Sequence, residues 1–269
     1  MKTHLTIGYL YDNIMSVYGD RGNIMCLESR CRWRGIETTV KPLRVGDPVD
    51  SDEIDLFFIG GGADSQQLLI AEDLVNVKGA GIKRAIDEGA AAFLICAGYQ
   101  LFGHYYKPIL GDELKGLGLF DAWTIHHGAE MGVKKVHTLA EAVDMRSIGN
   151  LAVQWGDEIL IGFESHGGNT YTGPDGQPFG RVIFGKGNNG QDGLEGCVYK
   201  NAIGTYLHGP CLPKNPRLAD HVITLALQRR YGNIALEPLD DSLENDAHDY
   251  VFAHVQQIKP NKMMTTHKA

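Results

Sequence analysis

A thiol stands at the end of the apolar run "AAFLIC", Ala91 to Cys96, and the next residues, "AGYQLFG", have the small start and apolar spacing of a helix. A strand that passes through a tight turn into a helix sets the turn residue at the carboxyl edge of a sheet, where α/β proteins bind ligands. There the helix N-terminus offers unpaired N–H groups and a partial positive charge, which favour the thiolate, the nucleophilic form of cysteine. Cys96 is therefore a candidate nucleophile; the plainer alternative is a small buried core thiol, common for a free cysteine. A cysteine nucleophile needs a base. His208 ends the apolar stretch "AIGTYLH" and is followed by Gly209 and Pro210, which puts an imidazole at a second strand end. Taken alone it reads as an ordinary core or surface histidine, but two strand-end residues of complementary chemistry strengthen each other.

Chemistry at a carbonyl also needs donors for the developing oxyanion. "IGGGAD" places Gly60, Gly61 and Gly62 at a third strand end, and glycine lets a backbone N–H approach a substrate closely. An N–H near Gly61, together with that of Ala97, forms a candidate oxyanion site. By itself the triple glycine is only a turn signal.

The elements that must present these residues alternate along the chain. "LTIGYLY" reads as a strand, "GNIMCLESRCRWRG" as a helix with a glycine stop, "IETTVKPL" as a strand and "DLFFIGGG" as a buried strand entering a loop. Two helical stretches fill roughly Ser65 to Gly89 ahead of the strand that ends at Cys96. Such alternation predicts an α/β fold with a mostly parallel central sheet and helices on both faces. From Leu117 to Leu207 the pattern is strand-rich, and "PRLADHVITLALQRRYG" is a closing helix. One domain is expected over residues 1–235, with a partly helical extension at 236–269 whose polar end reads as frayed.

Composition narrows the classes. The chain has 269 residues, 43% of them hydrophobic, enough for a sizeable core. A net charge of −8 argues against a nucleic-acid surface. No run of about 18 apolar residues is present to span a membrane, and "MKTHLTIGYLYDNIM" does not have the pattern of a signal peptide. The five cysteines are scattered without a CxxC, so neither a disulfide framework nor a structural zinc site is expected, and the predicted setting is reducing and cytoplasmic.

With a strand-end GGG, a cysteine elbow with Gln100 four residues on, and a late strand-end histidine, the chain resembles the class I glutamine amidotransferases, whose architecture is flavodoxin-like. The blocks "YGDRGNI", "FFIGGGAD", "ICAGYQLFG", "GFESHGGNTY", "GKGNNG", "YKNAIGTYLHGP" and "LPKN" carry the likeness further, toward the GatD-type glutaminase subunits, in the group that includes cobyric acid synthase. The resemblance implies that Cys96 attacks the carboxamide of glutamine, that His208 moves the protons, and that donors near Gly61 and Ala97 hold the oxyanion. It also implies that Arg146, in "RSIGNLAV", meets the α-carboxylate of glutamine, a task that suits a guanidinium. Gln100 is expected to support the substrate, packing beneath the elbow being its other reading.

Three departures stand out. The glutamate expected two residues after the histidine is replaced by Pro210, so either a dyad operates or another acid serves, with Glu164 of "GFESHGG" the candidate. Leu94 and Ala97 stand where many relatives have glycine. The stretch Asp121 to Asp144 is longer than expected; its His126, His127 and His137 match no standard metal spacing and read as a solvated loop or partner surface. No GxxxxGK[ST] is present, so no cofactor is expected on this chain. The resemblance assigns ATP and magnesium to a partner, a MurT-like Mur ligase subunit that amidates the D-glutamate of lipid II in peptidoglycan synthesis. The alternatives are amidation of a corrinoid, a silent scaffold subunit of the same fold, and a cysteine peptidase.

Overall fold

The structure is a computed structural model that describes residues 3–135, 141 and 145–255; His137 and the polar tail lie outside the described residues. In chain order the elements are β1 (His4–Leu10), α1 (Arg21–Trp33), β2 (Glu37–Leu43), β3 (Leu56–Ile59), α2 (Asp64–Asp73), α3 (Gly79–Asp87), β4 (Ala91–Ile95), α4 (Ala97–Phe102), β5 (Tyr105–Lys107), β6 (Leu114–Lys115) and β7 (Ala122–His126). There follow α5 (His127–Glu130), β8 (Ser147–Trp155), β9 (Glu158–His166), β10 (Gly168–Thr172), β11 (Gly180–Phe184), β12 (Leu194–Glu195), β13 (Cys197–Tyr199), β14 (Ala202–Thr205), α6 (Pro216–Tyr231) and α7 (Ser242–Val255).

The central sheet has six strands in the order β13-β14-β4-β3-β1-β2. Its pairings are parallel except β13 with β14. Every residue of β3 (LFFI) and β4 (AAFLI) is buried, the continuous apolar run of a strand covered on both faces. Helices α1 and α6 pack on each other and on this sheet, while α4 packs on β4 and β14. The strand-rich second half builds two further four-stranded sheets, β10-β7-β5-β6 and β12-β11-β8-β9. The fold is thus the expected α/β architecture with a mostly parallel centre.

The two helices expected between Ser65 and Gly89 are joined by a π-helical turn, Leu74–Lys78, rather than broken. That turn accompanies a buried cluster. Lys78 Nζ donates to Asp73 (2.6 Å) and to the Arg44 carbonyl (2.7 Å). Asp73 also accepts from the Tyr11 hydroxyl (2.7 Å) and the Gly46 N–H (2.7 Å). A second ionic cluster holds the C-terminal segment: Arg30 pairs with both Asp220 on α6 and Asp241 just before α7. Helix α7 then lies along β8 and β9, where His248 Nε2 donates to the Ile159 carbonyl. Among the described residues no helix is long and apolar enough to cross a membrane.

Candidate active site

Strand β4 ends one residue before Cys96, and α4 begins one residue after it. Cys96 occupies φ 52°, ψ −105°, a conformation that costs a non-glycine residue about 1–3 kcal/mol and that packing must hold in place. Two bonds do so: its N–H donates to the Thr205 carbonyl (2.8 Å) and its carbonyl accepts from Gln100 N–H (2.9 Å). Gly98 permits the turn, since a methyl group there would meet Ile59 Cγ2 at 2.4 Å. The sulfur lies 3.9 Å from the Ser165 carbonyl.

Strand β14 runs parallel to β4 and delivers His208 to the same edge. The imidazole is 2% exposed. Its Nδ1 donates to Asp20 Oδ1 (3.2 Å), and Asp20 Oδ2 accepts the Gly61 N–H (2.7 Å). One fully buried carboxylate therefore holds both the histidine and the glycine loop. His208 Nε2 is buried and makes no hydrogen bond of ordinary geometry. Burial alone would push His208 down, but the Cys96 sulfur and the Asp20 carboxylate outweigh it and raise the imidazole to about 10. An imidazole so placed readily takes up a proton.

Arg146 immediately precedes β8 and reaches the same site. Its Nη2 donates to the Ser165 carbonyl (2.8 Å) and to the Tyr18 hydroxyl (3.1 Å). Among the described residues no carboxylate forms a salt bridge with this guanidinium. The Ser165 carbonyl stands between the guanidinium and the thiol, touching the one and facing the other.

Several sequence-based expectations are corrected. Glu164 does not reach His208. Phe163 is the residue that pairs with His208, so Glu164, next on the strand, turns to the opposite face. Its carboxylate accepts the N–H groups of Lys186 (2.9 Å) and Gly187 (3.0 Å) and lies 3.8 Å from His166. Gln100 packs beneath the elbow rather than in the site. Its carbonyl end accepts from Gln67 (3.0 Å) and its amide donates to the Tyr206 hydroxyl (3.1 Å). Gly61 adjoins the histidine, but its N–H is taken by Asp20; Ala97 is the first residue of α4, directly after Cys96. His126 is buried at the end of β7 and caps α5, accepting the Gly128 N–H, so it is not part of a solvated loop. Among the described residues no group of three or more His, Cys, Asp or Glu is placed to hold a metal ion.

Asp20, Tyr18 and Ser165 are the residues that sequence reading passed over. Asp20 stands just before α1, where an aspartate reads as a helix cap. Its side chain makes no capping bond and is spent on His208 and Gly61 instead. Pro210 explains the displacement of the acid: it packs against Gly22, where a methyl group would meet Pro210 Cγ at 2.4 Å. The turn after His208 is thereby seated on the start of α1, and the carboxylate comes from that helix.

The other four thiols have different surroundings. Burial pushes Cys26 and Cys31 up to about 12 and Cys197 to about 11, and raises Cys211 well above the ordinary thiol value. None of the five cysteines forms a disulfide.

Residues 6–216 match the model of the CobB/CobQ-like glutamine amidotransferase domain. The chain is 36% identical over 245 residues to the lipid II isoglutaminyl synthase (glutamine-hydrolyzing) subunit GatD of Streptococcus pneumoniae, covering 90% of this chain and 88% of that protein. It is 37% identical to the subunit of the same name from Staphylococcus aureus, covering 90% and 91%. A probable cobyric acid synthase of Methanothermobacter thermautotrophicus is 30% identical, but the match covers 77% of this chain and 39% of that protein. Among solved structures, PurLQS from Thermotoga maritima superposes with a TM-score of 0.51 at 17% identity, over 84% of this chain and 96% of that one, a likeness of fold.

Proposed function

The chain belongs to the CobB/CobQ-like glutamine amidotransferase family, and from that premise we propose that it hydrolyses glutamine at Cys96 and supplies ammonia for amidating the D-glutamate α-carboxyl of lipid II. One observation carries the catalytic assignment: a strained elbow thiol faces a buried histidine whose far nitrogen is held by a buried carboxylate. His208 receives the thiol proton, and the sulfur attacks the carboxamide carbon. The oxyanion is held by the Ala97 N–H and by a second backbone N–H from the Gly60–Gly62 loop. As the tetrahedral intermediate collapses, the C–N bond breaks and His208 returns its proton to the leaving nitrogen, giving ammonia and a glutamyl thioester. Water then gives a proton to His208 and attacks the thioester, and glutamate leaves as the sulfur recovers its proton. Asp20 keeps the imidazole in the tautomer that this cycle needs. Arg146 meets the α-carboxylate of the substrate.

The acceptor reading rests on the two GatD relatives, which match along nine-tenths of this chain. Each of these relatives is named as one subunit of a synthase. We therefore assign acceptor activation to a MurT-like ligase subunit that uses ATP and magnesium, with nothing of the kind required of this chain. The corrinoid reading has less support, because the cobyric acid synthases match over only part of their length. The test is to purify the chain together with its accompanying synthetase and follow stem-peptide amidation by mass spectrometry, with glutamine and then with ammonium salt. Amidation of lipid II from glutamine is expected; amidation of a corrinoid instead would overturn the acceptor while leaving the glutaminase intact.

A further inference from the structure

Tyr18 occupies a place that the mechanism above does not use. It sits half-buried on the loop between β1 and α1, two residues before Asp20. Its ring lies over His208, with centroids 4.7 Å apart and planes inclined at 51°. The same ring covers Gly61: a methyl group there would meet Tyr18 Cδ2 at 2.8 Å and His208 Cε1 at 2.7 Å. At its other end the hydroxyl accepts a hydrogen bond from Arg146 Nη2 at 3.1 Å. One side chain thus touches the base, the glycine loop and the guanidinium.

We propose that Tyr18 is a positioning residue for substrate recognition: its hydroxyl fixes Arg146 at the distance from Cys96 that an amino acid with a free α-carboxylate and a side-chain carboxamide requires. The inference rests on the glutaminase reading. An arginine side chain loses as much as about 2 kcal/mol of rotamer freedom on being fixed, so an unsecured guanidinium would bind the carboxylate less well. Among the described residues, Ser165 and the Tyr18 hydroxyl are what secure its Nη2. Extended glutamine carries its carboxamide carbon and its carboxylate about 5 Å apart, so the clamp and the sulfur must be set at a definite spacing. The ring meanwhile excludes water from the covered face of His208.

The test compares Tyr18→Phe, Arg146→Ala and the double variant, each as the full chain with its accompanying synthetase. Tyr18→Phe keeps the ring and removes only the hydroxyl. It should raise KM for glutamine by about tenfold, the scale of one hydrogen bond to a charged group, and leave kcat within about twofold. In the Arg146→Ala background the same change should cost nothing further in kcat/KM, because Tyr18 acts through the guanidinium. An unchanged KM in Tyr18→Phe, or losses that simply add in the double variant, would overturn the proposal. A wild-type complex that does not hydrolyse glutamine would sink the glutaminase reading and this inference together, and that result is visible before any substitution is made.

Discussion

The loop from Tyr11 to Asp20 is pinned at both ends by buried polar groups, and the two ends differ in how completely those groups are paired. At Tyr11 the hydroxyl, the Asp73 carboxylate and the Lys78 ammonium satisfy one another, with Gly46 N–H and the Arg44 carbonyl taking up remaining bonds. At Asp20 the carboxylate is likewise filled, but the histidine that it holds keeps Nε2 unpaired toward Cys96. Burying a polar atom without a partner costs about 1–3 kcal/mol, and a fold bears that cost where a reaction will use the atom. The first end is an anchor and the second is a reagent, although both are buried and charged. Burial and charge alone do not separate the two; the unpaired atom does.

The sharpest way to break that contrast is at the sulfur. Cys96→Ala should abolish glutamine hydrolysis while the complex still amidates its acceptor from ammonium salt, as followed by mass spectrometry. A glutamine analogue bearing an electrophile should also label Cys96 before the four thiols that burial raises; labelling led by any of those would overturn the assignment. Next in size, His208→Ala should lower the glutaminase rate by about two orders of magnitude, a usual general-base contribution. Asp20→Asn should cost less, but more than Glu164→Gln, and should move the histidine's apparent pKa down, since the carboxylate helps raise it. Equal losses for the Asp20 and Glu164 variants in steady-state assays would remove the distinction drawn between them.

The anchor end should answer in stability instead. Lys78→Met leaves Asp73 buried without its cation and should cost about 3 kcal/mol in denaturant unfolding, with little change in kcat per folded molecule. The smallest effect concerns Glu195, buried behind β14, where it accepts from the Thr205 hydroxyl and the Tyr206 N–H. Burial pushes its carboxyl up from 4.5 to about 8. The folded state therefore binds more protons than the unfolded state between those values, and this group's contribution falls as pH rises through that window. Glu195→Gln should flatten the decline of Tm with pH there; an unchanged slope would show that Glu195 does not titrate as its burial implies.

The nucleophile and base were legible because each closes an apolar strand, and parallel strands put their carboxyl ends on one edge whatever lies between them in sequence. The third residue was not legible. Asp20 carries the local signature of a helix cap, and nothing nearby says that its side chain is employed elsewhere. Glu164 misled for the opposite reason: it stands in a motif-like stretch, but strand alternation turns it away from the residue whose neighbour it is. Gln100 was ambiguous because position i+4 on a helix returns under the elbow, a fact of helical geometry that motif reading does not weigh. The second and third sheets were visible only as strand-rich sequence, since short antiparallel strands do not declare their partners.

The central sheet's strand order also governs when the enzyme comes into being. Strand β14 lies between β13 and β4, and it is the Thr205 carbonyl that fixes the Cys96 N–H. A chain emerging from the ribosome has made its cysteine, its glycine loop and its guanidinium long before it makes the strand that holds the elbow and carries the histidine. Parallel pairing across such a separation forms late, because the intervening loop must be closed before any contact rewards it. The base and the carbonyl that fixes the elbow thus arrive together with β14, and the site cannot assemble before that strand has paired.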